Sequence, residues 1–118
     1  KYYVTDLGLR NVLLGTRTGN SGHIIENLVF IQLKRLGYEV SVGKMVDNEV
    51  DFVAQKDGNT EYYQVSLSVM DNTVYERELK PLLAIKDNYP KYLLTMDNID
   101  LSINEIIHKN VSSFLLEQ

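Results

Sequence analysis

The feature that most constrains the fold is a change of hydrophobic period at Gly37. Over residues 22–36 the apolar positions recur at helical spacing, with Ser21 placed to cap the start and Gly37 to end the helix. Beyond Gly37 the period becomes two: residues 38–43, 49–55 and 62–69 alternate and are rich in β-branched and aromatic side chains. Asp57-Gly58-Asn59 between the second and third runs is a strong hairpin signal. A long helix followed at once by an antiparallel meander implies one sheet with a helix laid on it.

The rest of the chain extends that plan. A second helix is expected from Asn72 or Thr73, with Tyr75, Leu79, Leu82 and Leu83 at helical spacing and Pro81 kinking or splitting it. A fourth strand over 91–96, a fifth around 105–108 and a short helix through Phe114 and Leu115 follow. A helix between strands three and four implies a crossover to a parallel neighbour. The fold class is therefore α/β with a mixed sheet of about five strands, as one domain over 1–118. Residues 1–21 are read as a linker, a short helix that Thr5 or Asp6 caps and Gly15 ends, and a loop leading into the core. Because the chain begins at Lys1 and enters patterned sequence immediately, it is expected to be a piece of a longer protein.

Composition narrows the chemistry. The absence of cysteine excludes disulfide frameworks, zinc ribbons and thiol nucleophiles, and makes a cytoplasmic location the expectation. No stretch approaches the roughly 18 apolar residues of a membrane span, so no membrane partner is expected. A net charge of −4 counts against indiscriminate coating of nucleic acid, although Lys34, Arg35, Lys44, Arg77 and Lys80 would supply a local basic strip if they met on one face. Gly15 to Gly22 looks faintly like a phosphate loop but lacks the Gly-Lys-Ser/Thr ending. His23 and His108 show no metal-ligand spacing, and Ser21 with His23 does not make a nucleophile and base.

Two anomalies remain. Glu26 lies among Val29, Phe30 and Leu33 on a helix that is apolar almost all round, which directs its carboxylate toward the sheet. In the second strand Val50, Phe52 and Ala54 are expected on one face, with Glu49, Asp51, Val53 and Gln55 on the other. A turn at Asp57-Gly58 sets Asp51 opposite Gln64; a turn at Gly58-Asn59 sets it opposite Ser66. Glu26, Asp51 and the Gln64 amide oxygen are hard donors suited to Mg²⁺ or Mn²⁺. A solvated polar face on the strands and a helix-dipole role for Glu26 are the competing structural explanations.

At these residues the chain resembles a known family. The run Lys1 to Asn11, then Ile25-Glu26-Asn27-Leu28-Val29, Lys34-Arg35-Leu36-Gly37-Tyr38, Glu49-Val50-Asp51-Phe52-Val53, Tyr63-Gln64-Val65, and Arg77-Glu78 through Lys91 resemble the C-terminal DUF4143 domain of prokaryotic AAA-type P-loop ATPases. The resemblance implies a PD-(D/E)XK nuclease-like, restriction-endonuclease-like three-layer α/β/α arrangement, with ATP bound only by an N-terminal ATPase module of the same chain. It also implies a nuclease centre in which Glu26 and Asp51 match the first two acidic positions. The third motif departs: Gln64-Val65-Ser66 stands where Glu-x-Lys is expected, with Ser66 at the lysine position. The amide brings no charge and the hydroxyl cannot stand in for an ammonium. Lys56 and Arg77 are the substitutes considered for that lysine, and Arg77 is also a candidate counterion for the acidic group. The resulting expectation is a catalytically degenerate accessory domain that recognises a protein partner or DNA. The alternative is a Mg/Mn-dependent DNA endonuclease with a non-standard site.

Overall fold

The computed structural model describes residue 9, residues 21–44 and residues 49–118. The expected elements before Ser21 lie outside them, apart from Leu9, which is buried against the core. The described elements are α1 (Ser21–Arg35), β1 (Glu39–Lys44), β2 (Glu49–Lys56), β3 (Asn59–Val65), α2 (Asn72–Leu83), β4 (Lys91–Thr95), β5 (Ile106–Asn110) and α3 (Val111–Leu115).

Gly37 stops α1 as its position suggests. With φ at +96° it takes the left-handed conformation that a side chain resists, its N–H bonds Lys34 O, and Tyr38 N–H bonds Leu33 O. The chain is thereby reversed directly into β1. The hairpin turn is Asp57-Gly58, both at positive φ (52° and 82°), the twist-matched form for a two-residue loop. It pairs Lys56 with Asn59 and Phe52 with Tyr63, so of the two registers open in the sequence the first is adopted.

The sheet has the order β1-β2-β3-β4-β5. The first three strands are antiparallel; β4 runs parallel to β3 and β5 parallel to β4. The architecture is thus α/β with a mixed five-stranded sheet. Asp71 caps α2, its carboxylate accepting from Thr73 N (2.8 Å) and Val74 N (3.3 Å). Of the two effects expected of Pro81, splitting does not occur: α2 continues to Leu83 with Pro81 itself buried. Only the last turn follows it, so one missing amide donor is tolerated there.

Apolar side chains gather in two clusters. Ile25, Val29 and Leu33 of α1 meet Ala54, Tyr63, Val65 and Leu94 together with Val111 and Phe114 of α3. Leu79 and Leu82 of α2 meet Val50, Leu93 and Ile106. Consecutive residues Leu93 and Leu94 enter different clusters, as strand alternation requires of a sheet covered on both faces. Gln32 ties α1 to the C-terminal end, donating to Phe114 O (3.0 Å) and Glu117 O (2.9 Å).

Two strand readings need correction. β2 does not alternate strictly: Ser41 pairs with Val53 but Gly43 with Val50, so Asp51 and Phe52 together oppose one residue of β1. This bulge puts Val50 and Val53 in the α2 cluster while Phe52 and Ala54 join the α1 cluster. β3 ends at Val65 rather than Val69, leaving Ser66 and Ser68 outside the strand.

Candidate functional site

The ladder between β2 and β3 stops at Phe52–Tyr63, although β3 remains paired with β4 through Val65. Where the next rung would lie, side chains replace backbone. Asp51 N–H donates to Gln64 Oε1 (3.0 Å), and Val65 N–H donates to Asp51 Oδ2 (2.8 Å). The bulge and the interrupted ladder thus occur at the same residue, and together they turn Asp51 inward.

Helices bring two further carboxylates to this point. Glu26 of α1 reaches hydrogen-bonding range of Asp51, and Glu78 of α2 interacts with the Gln64 amide. The sequence-derived set Glu26, Asp51 and Gln64 is therefore assembled. Burial, followed by the charges of Glu26 and Glu78, pushes the Asp51 carboxyl up to about 7, against the lowering effect of the Val65 N–H bond. Burial also raises Glu78, an effect opposed chiefly by Arg77. A proton on Asp51 relieves the repulsion and supplies a donor toward Glu26.

Glu78 is the participant that sequence reasoning missed. Its signal was available: it sits between Val74 and Leu82 at intervals of four, on the inward stripe of α2. Its side chain is only 16% exposed, whereas the adjacent Arg77 is 68% exposed.

The other candidates are placed elsewhere. Arg77 Nε lies 3.6 Å from Glu78 Oε2 and makes no direct contribution at Asp51, so its counterion role is indirect. Ser66 N–H bonds Leu94 O and its hydroxyl donates to Ser68 O at 3.2 Å. Lys56 occupies the far end of β2, about 16 Å from Asp51 at strand rise. There its ammonium bonds Leu36 O (2.7 Å) and covers the Tyr38 ring, holding the end of α1. His23 is exposed, 3.6 Å from Glu26. His108 is buried in a network: Nδ1 accepts from Leu101 N–H (3.3 Å), which leaves Nε2–H for Thr95 Oγ1 (2.7 Å), and that hydroxyl donates to Asp97 Oδ2 (3.0 Å). The basic strip does not form as one surface, because Lys34 and Arg35 belong to α1 whereas Arg77 and Lys80 belong to α2, whose apolar residues pack in the other cluster.

A divalent cation fits this donor set poorly. Gln64 Oε1 and Asp51 Oδ2 are both directed at backbone N–H groups. Among the described residues no three acidic or imidazole side chains are arranged to hold a metal ion.

Comparison with known proteins gives relatives of broad origin. No family model matches the chain. An uncharacterized protein of Haemophilus influenzae is 44% identical over 95 residues, which cover 80% of this chain and 23% of that protein. An uncharacterized protein of Methanocaldococcus jannaschii is 38% identical over 108 residues, covering 87% of this chain and 22% of its own length. The chain thus spans less than a quarter of the length of the curated relatives it matches, and corresponds to one segment of each.

Proposed function

We propose that the chain is a nuclease-like accessory module, with the restriction-endonuclease-like arrangement, in which the acidic centre has lost hydrolysis and the domain serves recognition. The observation that carries this reading is the reciprocal bonding of Asp51 and Gln64 to backbone amides. Groups that would face a cation in a phosphodiesterase are here used to close a gap in the sheet. The reading gains from the missing ammonium: Lys56 is committed to Leu36 O and the Ser66 hydroxyl to Ser68 O. General-base and electrostatic contributions of that kind are commonly worth about 10² or more in rate.

A P-loop ATPase module in the same polypeptide is the proposed neighbour, and relatives about four times the matched length leave room for one. Division of the basic residues between helices favours a protein surface over DNA as the partner. The proposed location is the cytoplasm; among the described residues no helix is long and apolar enough to cross a membrane.

One observation favours the alternative of a Mg/Mn-dependent endonuclease: Glu78 restores the negative charge that Gln64 lacks. The two readings separate when the chain is incubated with linear and branched DNA, with and without Mn²⁺, beside Asp51→Ala. The expected result is no cleavage by either protein. Metal-dependent cutting that disappears in Asp51→Ala would replace the degenerate reading with the enzymatic one.

A further inference from the structure

Away from the acidic centre, a cavity of about 580 Å³ opens between the sheet and the connection from α2 to β4. It shares no residue with Glu26, Asp51, Gln64 or Glu78, and it lies within the size range of small-molecule sites. Its floor is built by the β2 bulge. Val50 and Val53, brought to one face, close over Gly43, where a Cβ would collide with both valine Cγ2 atoms. The backbone of β1 can therefore approach the valines only without a side chain at residue 43.

Charge around this cavity is unbalanced. Among the described lining residues the carboxylate is Asp87, and it is already satisfied: Oδ2 accepts from Tyr62 OH (2.6 Å) and Oδ1 accepts from Lys91 Nζ (3.2 Å). Lys91 in turn spends its other donors on Asp87 O and Tyr89 O, both at 2.9 Å. Lys44 and Lys86 also line the cavity and, among the described residues, neither forms an ion pair. Glu49 is paired in register with Lys44 across the strands but does not approach within ion-pair distance. Among the described residues, two lysines without an ion pair therefore line a site whose acid, Asp87, is already paired with Lys91.

The remaining wall combines aromatic and hydrogen-bonding groups. Tyr89, 46% exposed, lines it with its ring, and Gln55 lines it with an amide whose Nε2 donates to the hydroxyl of the buried Thr60 (3.5 Å). An inorganic anion would use the lysines alone; a ligand with a phosphate and a flat heterocycle would use every wall. We propose that this cavity binds a nucleoside monophosphate, with the phosphate at Lys44 and Lys86 and the base against Tyr89. This assignment is independent of the nuclease-like reading, since it uses neither the acidic centre nor a metal.

Calorimetric or NMR titration of the chain with AMP, adenosine and inorganic phosphate tests it at low salt. AMP should saturate, with adenosine about 100-fold weaker and inorganic phosphate also weaker. Loss of one charged contact commonly costs about tenfold, so Lys44→Gln and Lys86→Gln should each weaken AMP by about that factor. Tyr89→Ala should cost about fivefold or more through lost stacking. All three residues are exposed, so melting temperatures should stay near wild type, and Lys34→Gln on α1 should bind AMP normally. The proposal is overturned by absence of saturation at millimolar AMP, by unchanged affinity in the Lys44→Gln/Lys86→Gln double variant, or by inorganic phosphate binding as tightly as AMP.

Discussion

Replacing Asp51 with Asn should stabilise the protein at alkaline pH and leave its stability nearly unchanged at pH 4. The folded state raises the Asp51 carboxyl to about 7, mainly through burial and then through Glu26 and Glu78; in the unfolded chain it returns to about 3.9. Between those values the folded state binds more protons than the unfolded state, so stability falls as pH rises through the window. The favourable contribution is complete below the unfolded value and gone above the folded one. About three pKa units correspond to a ceiling of about 4 kcal/mol. Asp51 is only partly buried, and solvent screening reduces this to about half, near 2 kcal/mol. For 118 residues the unfolding entropy is about 0.25 kcal/mol/K, giving a rise of about 8 °C at pH 8.5. Asn preserves an acceptor for Val65 N–H and offers an amide to Glu26, so the geometry survives while the charge is removed. Thermal melts of both proteins at pH 4, 6, 7 and 8.5, with urea m-values as a check on two-state behaviour, measure the difference directly. A variant that is less stable than wild type at pH 8.5, or a difference independent of pH, would refute the argument.

Gly43→Ala should destabilise by about 2 kcal/mol through overpacking, because its new methyl meets Val50 and Val53, which the bulge fixes in place; urea denaturation provides the value. Arg77→Ala should cost less than about 1 kcal/mol, given an exposed guanidinium 3.6 Å from Glu78, and a melting temperature lowered by more than about 8 °C would show that Arg77 neutralises the whole acidic group. His108 gives the opposite pH trend to Asp51. Burial lowers its pKa against the raising effects of Asp97 and Asp100, so its stabilising contribution is present above the unfolded value of about 6.5 and is lost as pH falls toward the folded one. Protonated Nδ1 can no longer accept from Leu101 N–H, and acidification should therefore reduce exchange protection of that amide relative to amides at the centre of β4, after correction for intrinsic rates.

Much of this architecture is legible because local rules and tertiary demands agree. The period change at Gly37, the Asp57-Gly58 turn and the helix before β4 each had a local cause that the sheet topology retains. The failures occur where backbone is set by distant partners. Nothing in residues 49–56 announces that β1 will skip a residue against them, so alternation assigned Val50 and Val53 to opposite faces. Similarly, β-branched and apolar residues extend the strand pattern to Val69, but the Asp97 carboxylate captures Ser68 Oγ (2.7 Å) and Val69 N (2.9 Å), diverting that segment. Glu26, Asp51 and Gln64 were recoverable as a group because one helix and one hairpin place them. The inward position of Glu78 was legible from its spacing with Val74 and Leu82, but its place in this group required knowing that α2 approaches the same rung.

That extra acid changes how Gln64 is understood. Considered only as a replacement for glutamate, the amide is a weakened cation donor. In this protein it accepts from Asp51 N–H on one side and interacts favourably with Glu78 on the other. A carboxylate at residue 64 could perform the first task but would repel Glu78, adding charge to a centre where Asp51 is already held near 7 by burial and then by its acidic neighbours. The amide and Glu78 therefore belong together: a neutral group with both donor and acceptor can serve Asp51 N–H and Glu78 without adding a charge to the acidic centre. On this argument Gln64→Glu should be tolerated poorly at pH 8 and better when Glu78 is replaced by Gln in the same chain. The neutral amide at residue 64 and the inward placement of Glu78 are then one structural arrangement.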